Sequence, residues 1–272
     1  MTVCRIDDRF AALARENRAA FVAYVMAGDQ DAAADASILS GLPAAGADLI
    51  ELGMPFSDPM ADGPTIQRAA LRSLALGVNV AGVLDLVRRF READQTTPIV
   101  LMGYLNPLLS LGYEPFAAAA AAAGVDGLIV VDCPPEESEP LADALEAHDI
   151  ALIRLAAPTT DEARLAIVAR RTRGFVYYVS LTGVTGVLEA DVEAIAPMAA
   201  RVRAARGLPV AVGFGIRTPA RAAQIARVAD GVVVGSALVE QIDLAIAQKR
   251  DPVSKVLDTA ASLAQAVHSA RA

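Results

Sequence analysis

Eight short runs rich in Val, Ile and Leu, spread along most of the chain, limit the fold more than any other feature of this sequence. They fall at 21–25, 49–52, 99–104, 127–131, 151–155, 175–180, 209–213 and 231–234. Most lack strict apolar–polar alternation, so both faces of each strand are expected to be buried. Segments of helical periodicity separate them: 32–45, 65–76, 80–91, 115–123, 136–148, 161–171, 192–205 and 219–228. A further helix over 251–268 closes the chain, with Pro252 suited to its first turn. The alanine run at 117–123 reads as helix rather than as low complexity, because alanine is the best helix former. Strand followed by helix, eight times over, points to parallel pairing.

Two architectures satisfy that pattern. An open doubly wound sheet usually carries a Gly-rich phosphate loop after its first strand. Here the first run leads into Ala27-Gly28-Asp29-Gln30, with no such spacing. The expectation is therefore an α/β fold, a (β/α)8 TIM barrel. Ile6, Phe10 and Leu13 recur at helical spacing and add an extra N-terminal helix. The length of 272 residues is close to the roughly 250 typical of such a barrel. With no linker or composition break, one domain over 1–272 is expected.

Charge and residue counts remove several functions. The formal net charge is −8 and no basic block occurs, which argues against a nucleic-acid surface. The first residues lack the apolar stretch of a signal peptide. The longest apolar stretches are too short to span a bilayer, so no membrane partner is expected. Two cysteines, Cys4 and Cys133, suit a reducing compartment. A soluble, cytoplasmic protein is the expectation. The only lysines, Lys249 and Lys255, lie outside the eight runs, which disfavours a Schiff-base aldolase. The only histidines, His148 and His268, sit in helical or tail contexts, so no metal is expected.

In a barrel of this kind the site lies on the loops at the C-terminal ends of the strands. Glu51 ends an apolar run, between Ile50 and Leu52. Burial there would raise its pKa and suit it to proton transfer near neutrality; a loop cap or an arginine partner is the structural alternative. Asp62 sits in a Pro- and Gly-bounded loop, where aspartate is also a common turn former. Three later loops carry glycines: Gly183 and Gly186, then Gly213 and Gly215, then Gly235 before Ser236. Their amides could hold a phosphate without lysine. Alternation along the runs would bring Tyr24, Met102, Ile129, Tyr177 and Phe214 around a flat apolar cavity, with ordinary barrel filling as the alternative.

The segment Glu51-Leu-Gly-Met-Pro-Phe-Ser-Asp-Pro-Met-Ala-Asp62-Gly-Pro-Thr-Ile-Gln67 closely resembles the signature of the tryptophan synthase α subunit family. The likeness extends through Met102-Gly-Tyr104-Leu-Asn106-Pro, Asp126-Gly-Leu-Ile-Val-Val-Asp132-Cys-Pro134, Gly183-Val-Thr-Gly186, Gly213-Phe-Gly-Ile216 and Gly235-Ser-Ala237. The resemblance implies cleavage of indole-3-glycerol phosphate into indole and glyceraldehyde 3-phosphate. It implies Glu51 as general acid and base, and Asp62 as the carboxylate that stabilises the positive indolenine-like intermediate. Gly186, Gly215, Gly235 and Ser236 would contact the phosphate. Tyr24, Met102, Ile129, Tyr177 and Phe214 would surround the indole, and Thr185 would hold Asp62 on closure. It also implies a β subunit partner in an α2β2 complex, with pyridoxal phosphate in that partner and no cofactor in this chain. Tyr24 stands where the family often has Phe, Met26 where Thr is frequent, and Met102 where Leu is frequent. The competing expectations are another phosphate-binding barrel isomerase and a non-catalytic regulatory barrel.

Overall fold

The computed structural model describes residues 4–179, 192–213 and 215–271. Helix α1 (Arg5–Arg15) precedes β1 (Ala20–Met26), α2 (Ala32–Gly41) and β2 (Leu49–Gly53). Next come α3 (Pro64–Ala75), α4 (Val80–Ala93), β3 (Ile99–Gly103), α5 (Leu105–Leu111) and α6 (Tyr113–Ala123). The chain continues through β4 (Gly127–Val130), α7 (Glu139–Ala147), β5 (Ala151–Ile153), β6 (Leu155–Ala156) and α8 (Glu162–Ala169). It ends with β7 (Val176–Val179), α9 (Val192–Arg206), β8 (Val210–Gly213), α10 (Pro219–Ala226), β9 (Gly231–Val234), α11 (Ser236–Ala247) and α12 (Val253–His268).

All pairings are parallel, in the order β5-β4-β3-β2-β1-β9-β8-β7-β6. Only Arg154 separates β5 from β6, so the two ends of that order are joined by the chain itself. The Tyr177 N–H donates to the Arg154 carbonyl at 3.0 Å, continuing the ladder across the break. The sheet thus closes into the expected (β/α)8 barrel, with its fifth strand interrupted at one residue. The buried Arg154 side chain reaches the Ser138 hydroxyl and the Val168 carbonyl.

Alternation sorts the strand residues into two layers. Val22, Leu49, Val100, Ile129, Ile153, Tyr177, Ala211 and Val233 fill the barrel. Ile6, Phe10 and Leu13 of α1 join that cluster and plug its N-terminal end, with Phe10 and Phe175 ring centroids 5.5 Å apart. The opposite faces, including Phe21, Ile50, Leu101 and Val232, pack against the helices. Each such buried side chain contributes about 1.5–3 kcal/mol, which accounts for the apolar character of both faces. Helices α5 and α11 were not anticipated from the sequence.

Three aspartates stand just before β2, β4 and β9, at the N-terminal end of the barrel. Each ties a neighbouring strand by an amide at or next to its start. Asp48 accepts from Phe21 N–H at 2.9 Å, Asp126 from Ile99 N–H at 2.8 Å, and Asp230 from Val210 N–H at 2.9 Å. Each is also paired with arginine: Arg18 with Asp48, Arg5 and Arg91 with Asp126, and Arg203 with Asp230. Among the described residues, no single helix is long and apolar enough to cross a membrane.

Candidate active site

At the other end of the barrel the carboxylates are differently placed. Glu51 lies on β2, in register with Tyr24 of β1 and Val100 of β3. Parallel neighbours in register point to the same side, so Glu51 projects into the barrel among apolar neighbours. It is 1% exposed, and neither carboxyl oxygen has a hydrogen-bond partner. Loss of hydration penalises the charged form, and burial pushes its pKa up to about 8, with the Asp62 charge adding to the rise. Glu51 is therefore largely protonated at neutral pH. The arginine-paired alternative does not hold.

Asp62 belongs to the loop between β2 and α3. Its turn is closed by its own N–H on the Pro59 carbonyl at 3.1 Å. The half-buried carboxyl accepts a hydrogen bond from the Tyr104 hydroxyl at 3.1 Å, and that hydroxyl accepts from Ala61 N–H at 3.0 Å. Gln67, one turn into α3, donates to the Asp62 carbonyl at 2.8 Å. Tyr104 in turn stacks on Phe56, with ring centroids 5.1 Å apart. Burial raises the Asp62 pKa to about 6, although the Tyr104 hydrogen bond acts to lower it. Sequence reasoning missed this contact, because Tyr104 and Asp62 lie 42 residues apart along the chain.

Both carboxylates line one cavity at the C-terminal mouth, together with Tyr24, Ile66, Met102, Tyr177, Gly215, Ile216, Arg217, Val233, Gly235 and Ser236. Of the sequence-nominated residues, Ile129 sits elsewhere. It is fully buried in the barrel interior, in register with Met102 and Ile153, and is not part of the cavity lining. Gly186, Thr185 and Phe214 lie outside the described residues. Ile66, Ile216, Arg217 and Val233 were not nominated from the sequence.

The tyrosines owe their positions to missing side chains. A Cβ on Gly53 would overlap the Tyr24 hydroxyl, and one on Gly213 would overlap the Tyr177 hydroxyl. Gly53 lies two residues beyond Glu51 on β2 and on the same face, so the Tyr24 hydroxyl sits one layer above Glu51, towards the mouth. Burial raises both phenol pKa values well above their ordinary range, with the two carboxylates adding to the effect.

The other side of the cavity is lined by two glycines and the first residue of a helix. Gly215 has φ 72°, a left-handed conformation that glycine adopts without strain. Gly235 caps α11, whose first residue is Ser236. The first N–H groups of a helix have no intrahelical acceptor, and the dipole places partial positive charge there. A phosphate would find free donors at that point. Below this end, Arg72 of α3 bridges Asp29 and Asp243 of α11, each at 2.6 Å, so the helices that follow Asp62 and Gly235 are pinned together. Among the described residues, no cluster of His, Cys, Asp and Glu could hold a metal ion.

Comparison with known proteins identifies the family. Residues 10–268 match the family model described as tryptophan synthase alpha chain. The tryptophan synthase alpha chain of Caulobacter sp. (strain K31) is 68% identical over 271 residues, covering 100% of this chain and 98% of the relative. That of Phenylobacterium zucineum (strain HLK1) is 66% identical over the same coverage. The crystal structure of tryptophan synthase subunit alpha from Legionella pneumophila superposes with a TM-score of 0.91 at 40% identity, covering 98% of this chain and 99% of that one. A structure of Mycobacterium tuberculosis tryptophan synthase gives 0.88 at 38% identity, covering 98% and 99%.

Proposed function

The chain belongs to the tryptophan synthase alpha chain family, and from that premise we propose how its cavity performs the reaction. The enzyme is a carbon–carbon lyase of L-tryptophan biosynthesis. It cleaves indole-3-glycerol phosphate into indole and glyceraldehyde 3-phosphate. One observation carries the mechanism: a buried, unpartnered Glu51 shares a cavity with an Asp62 held in place by Tyr104.

Glu51, protonated at neutral pH, delivers its proton to C3 of the indole ring, the carbon that bears the side chain. Positive charge then spreads to the ring nitrogen. Asp62 accepts a hydrogen bond from that N–H and stabilises the charge. The Glu51 carboxylate next removes the proton of the side-chain hydroxyl adjacent to the ring. The O–H electron pair becomes the aldehyde C=O, the C–C bond breaks, and its electron pair returns to the ring. Indole and the aldehyde leave, and Glu51 has regained its proton. The two roles need opposite protonation states, and the two environments provide them.

Tyr24, Met102 and Tyr177 form the indole walls, with Ile129 beneath them. Gly215, Gly235 and Ser236 bind the phosphate. Gly186 at the phosphate, Thr185 at Asp62 and Phe214 at the ring enter this proposal from the sequence resemblance. The partner is a tryptophan synthase β chain in an α2β2 complex that takes up the indole. Pyridoxal phosphate belongs to that β chain, and the chemistry assigned to this chain uses groups of its own. The setting is cytoplasmic, within one barrel domain.

Indole release from indole-3-glycerol phosphate, measured across pH, tests the assignment. Activity requires ionised Asp62 and protonated Glu51. The free-enzyme profile, kcat/KM, should fall as pH drops through about 6 and as it rises through about 8. Asp62→Asn should lower kcat/KM by about 100-fold or more and abolish the acidic limb. An acidic limb that survives in that variant would remove Asp62 from the mechanism.

A further inference from the structure

A cation shares the cavity with these groups and has no part in the proton transfers of Glu51 and Asp62. Among the described residues lining the cavity, Arg217 is the only basic side chain. It follows Gly215 by two residues in the loop between β8 and α10, and it is ion-paired with Glu240 of α11. Glu240 comes four residues after Ser236, so the two lie on the same face of α11, about one 5.4 Å turn apart. Side chains on a helix tilt towards its N-terminus, so Glu240 leans towards Ser236. The guanidinium is therefore held within about a turn of the free amides at the start of α11.

This pair is easily exchanged. Both side chains remain open to water, at 41% and 39% exposed, and ion pairs of that kind are weak. A phosphate dianion is a better partner for a guanidinium, whose planar fork matches two phosphate oxygens. The other described lining residues offer the phosphate only dipoles, apart from the acidic groups of Glu51 and Asp62.

We propose that Arg217 is a phosphate-binding residue of this site, parked on Glu240 while the site is empty and transferred to the substrate's phosphate on binding. Glu240 then acts as a competing counter-ion that keeps the arginine extended beside α11. The inference rests on the phosphate reading of Gly215, Gly235 and Ser236, and adds to it the one full positive charge among the described lining residues. It also makes Arg217 a determinant of selectivity for phosphorylated substrate, since an uncharged analogue would leave the Glu240 pair intact.

Calorimetric titration of the full chain with inorganic phosphate, alongside turnover of indole-3-glycerol phosphate, tests it. Arg217→Ala should raise the phosphate Kd and the substrate KM by about tenfold, with kcat within about threefold of the parent. Arg217→Lys, which keeps the charge without the fork, should recover part of both losses. Glu240→Gln should shift Kd in the opposite direction, tightening phosphate binding a few-fold. Kd and KM within twofold of the parent in Arg217→Ala would overturn the assignment, and an unchanged or weaker Kd in Glu240→Gln would overturn the exchange. Ser236→Asp separates this failure from a failure of the site itself. An acidic first residue suits a helix and repels phosphate. If that variant binds phosphate normally, the α11 site is misassigned; if it loses binding while Arg217→Ala does not, only Arg217 falls.

Discussion

The buried acids Asp48 and Asp126 at one end of the barrel and Glu51 at the other sit in opposite surroundings. At the N-terminal end, Asp48, Asp126 and Asp230 each accept a strand amide and face an arginine. At the mouth, Glu51 has neither. The contrast also appears in proton affinity. His268, Phe21 N–H and Arg18 hold the Asp48 carboxyl below its ordinary value, outweighing its burial. Glu51, with burial unopposed, is pushed up to about 8. The lower end spends its carboxylates on closing the ring. The upper end leaves one carboxyl unsatisfied, and that makes it reactive.

Four substitutions probe the difference between the two ends. The largest effect is expected from Glu51→Gln, which should reduce indole formation by about 1,000-fold or more while preserving the fold. The same change should stabilise the protein, with a sign opposite to that of most buried substitutions. An acid whose folded pKa is raised from 4.5 to about 8 destabilises the folded state progressively across that interval. Removing it should return up to about 5 kcal/mol at pH 8 and almost nothing at pH 4, as read by denaturant unfolding at the two pH values. A variant less stable at pH 8 than its parent would contradict the buried, unpaired environment.

Asp126→Ala should do the reverse. Arg91 would be left buried, with a side chain 7% exposed and no carboxylate, at a cost of about 3–5 kcal/mol. Turnover per folded molecule should stay near that of the parent, and a comparable loss of kcat would show that the two ends are not separable. Asp48→Asn should cost less and show its pH dependence in acid. A depressed carboxylate contributes stability above its ordinary pKa and loses it as pH falls, so parent and variant should converge at low pH. The smallest effect is expected from Tyr104→Phe, which removes one hydrogen bond to Asp62, worth about 1–1.5 kcal/mol. It should lower kcat by about tenfold and move the acidic limb upward. An unmoved limb would show that the phenol supports only the loop.

The readable parts of this molecule were those set by local pattern. The apolar runs predicted the strands because both of their faces are buried, and Ile6, Phe10 and Leu13 predicted the helix that plugs the barrel. Glu51 was legible because a carboxylate among Ile and Leu has few structural uses. The missed parts depend on contacts far apart in sequence or on boundaries without punctuation. Helix α11 starts two residues after β9, with no loop to announce it. Helix α5 is only seven residues long and contains Pro107. The break at Arg154 leaves no local mark, since its neighbours continue as strand. Ile129 and Met102 share a register position, yet only Met102 reaches the cavity, a difference of depth that alternation cannot express.

Gly53 and Gly213 have a consequence for how this mouth can drift over generations. Each leaves vacant the space that a tyrosine from the next strand occupies, Tyr24 in one case and Tyr177 in the other. An alanine at either glycine is therefore a drastic replacement while the phenol remains, and a mild one once the phenol has been shortened. The order of steps is constrained: the large residue must retreat before the small one can grow. Sampled across descendants, the four positions should vary as two linked couples, each crossing between neighbouring strands.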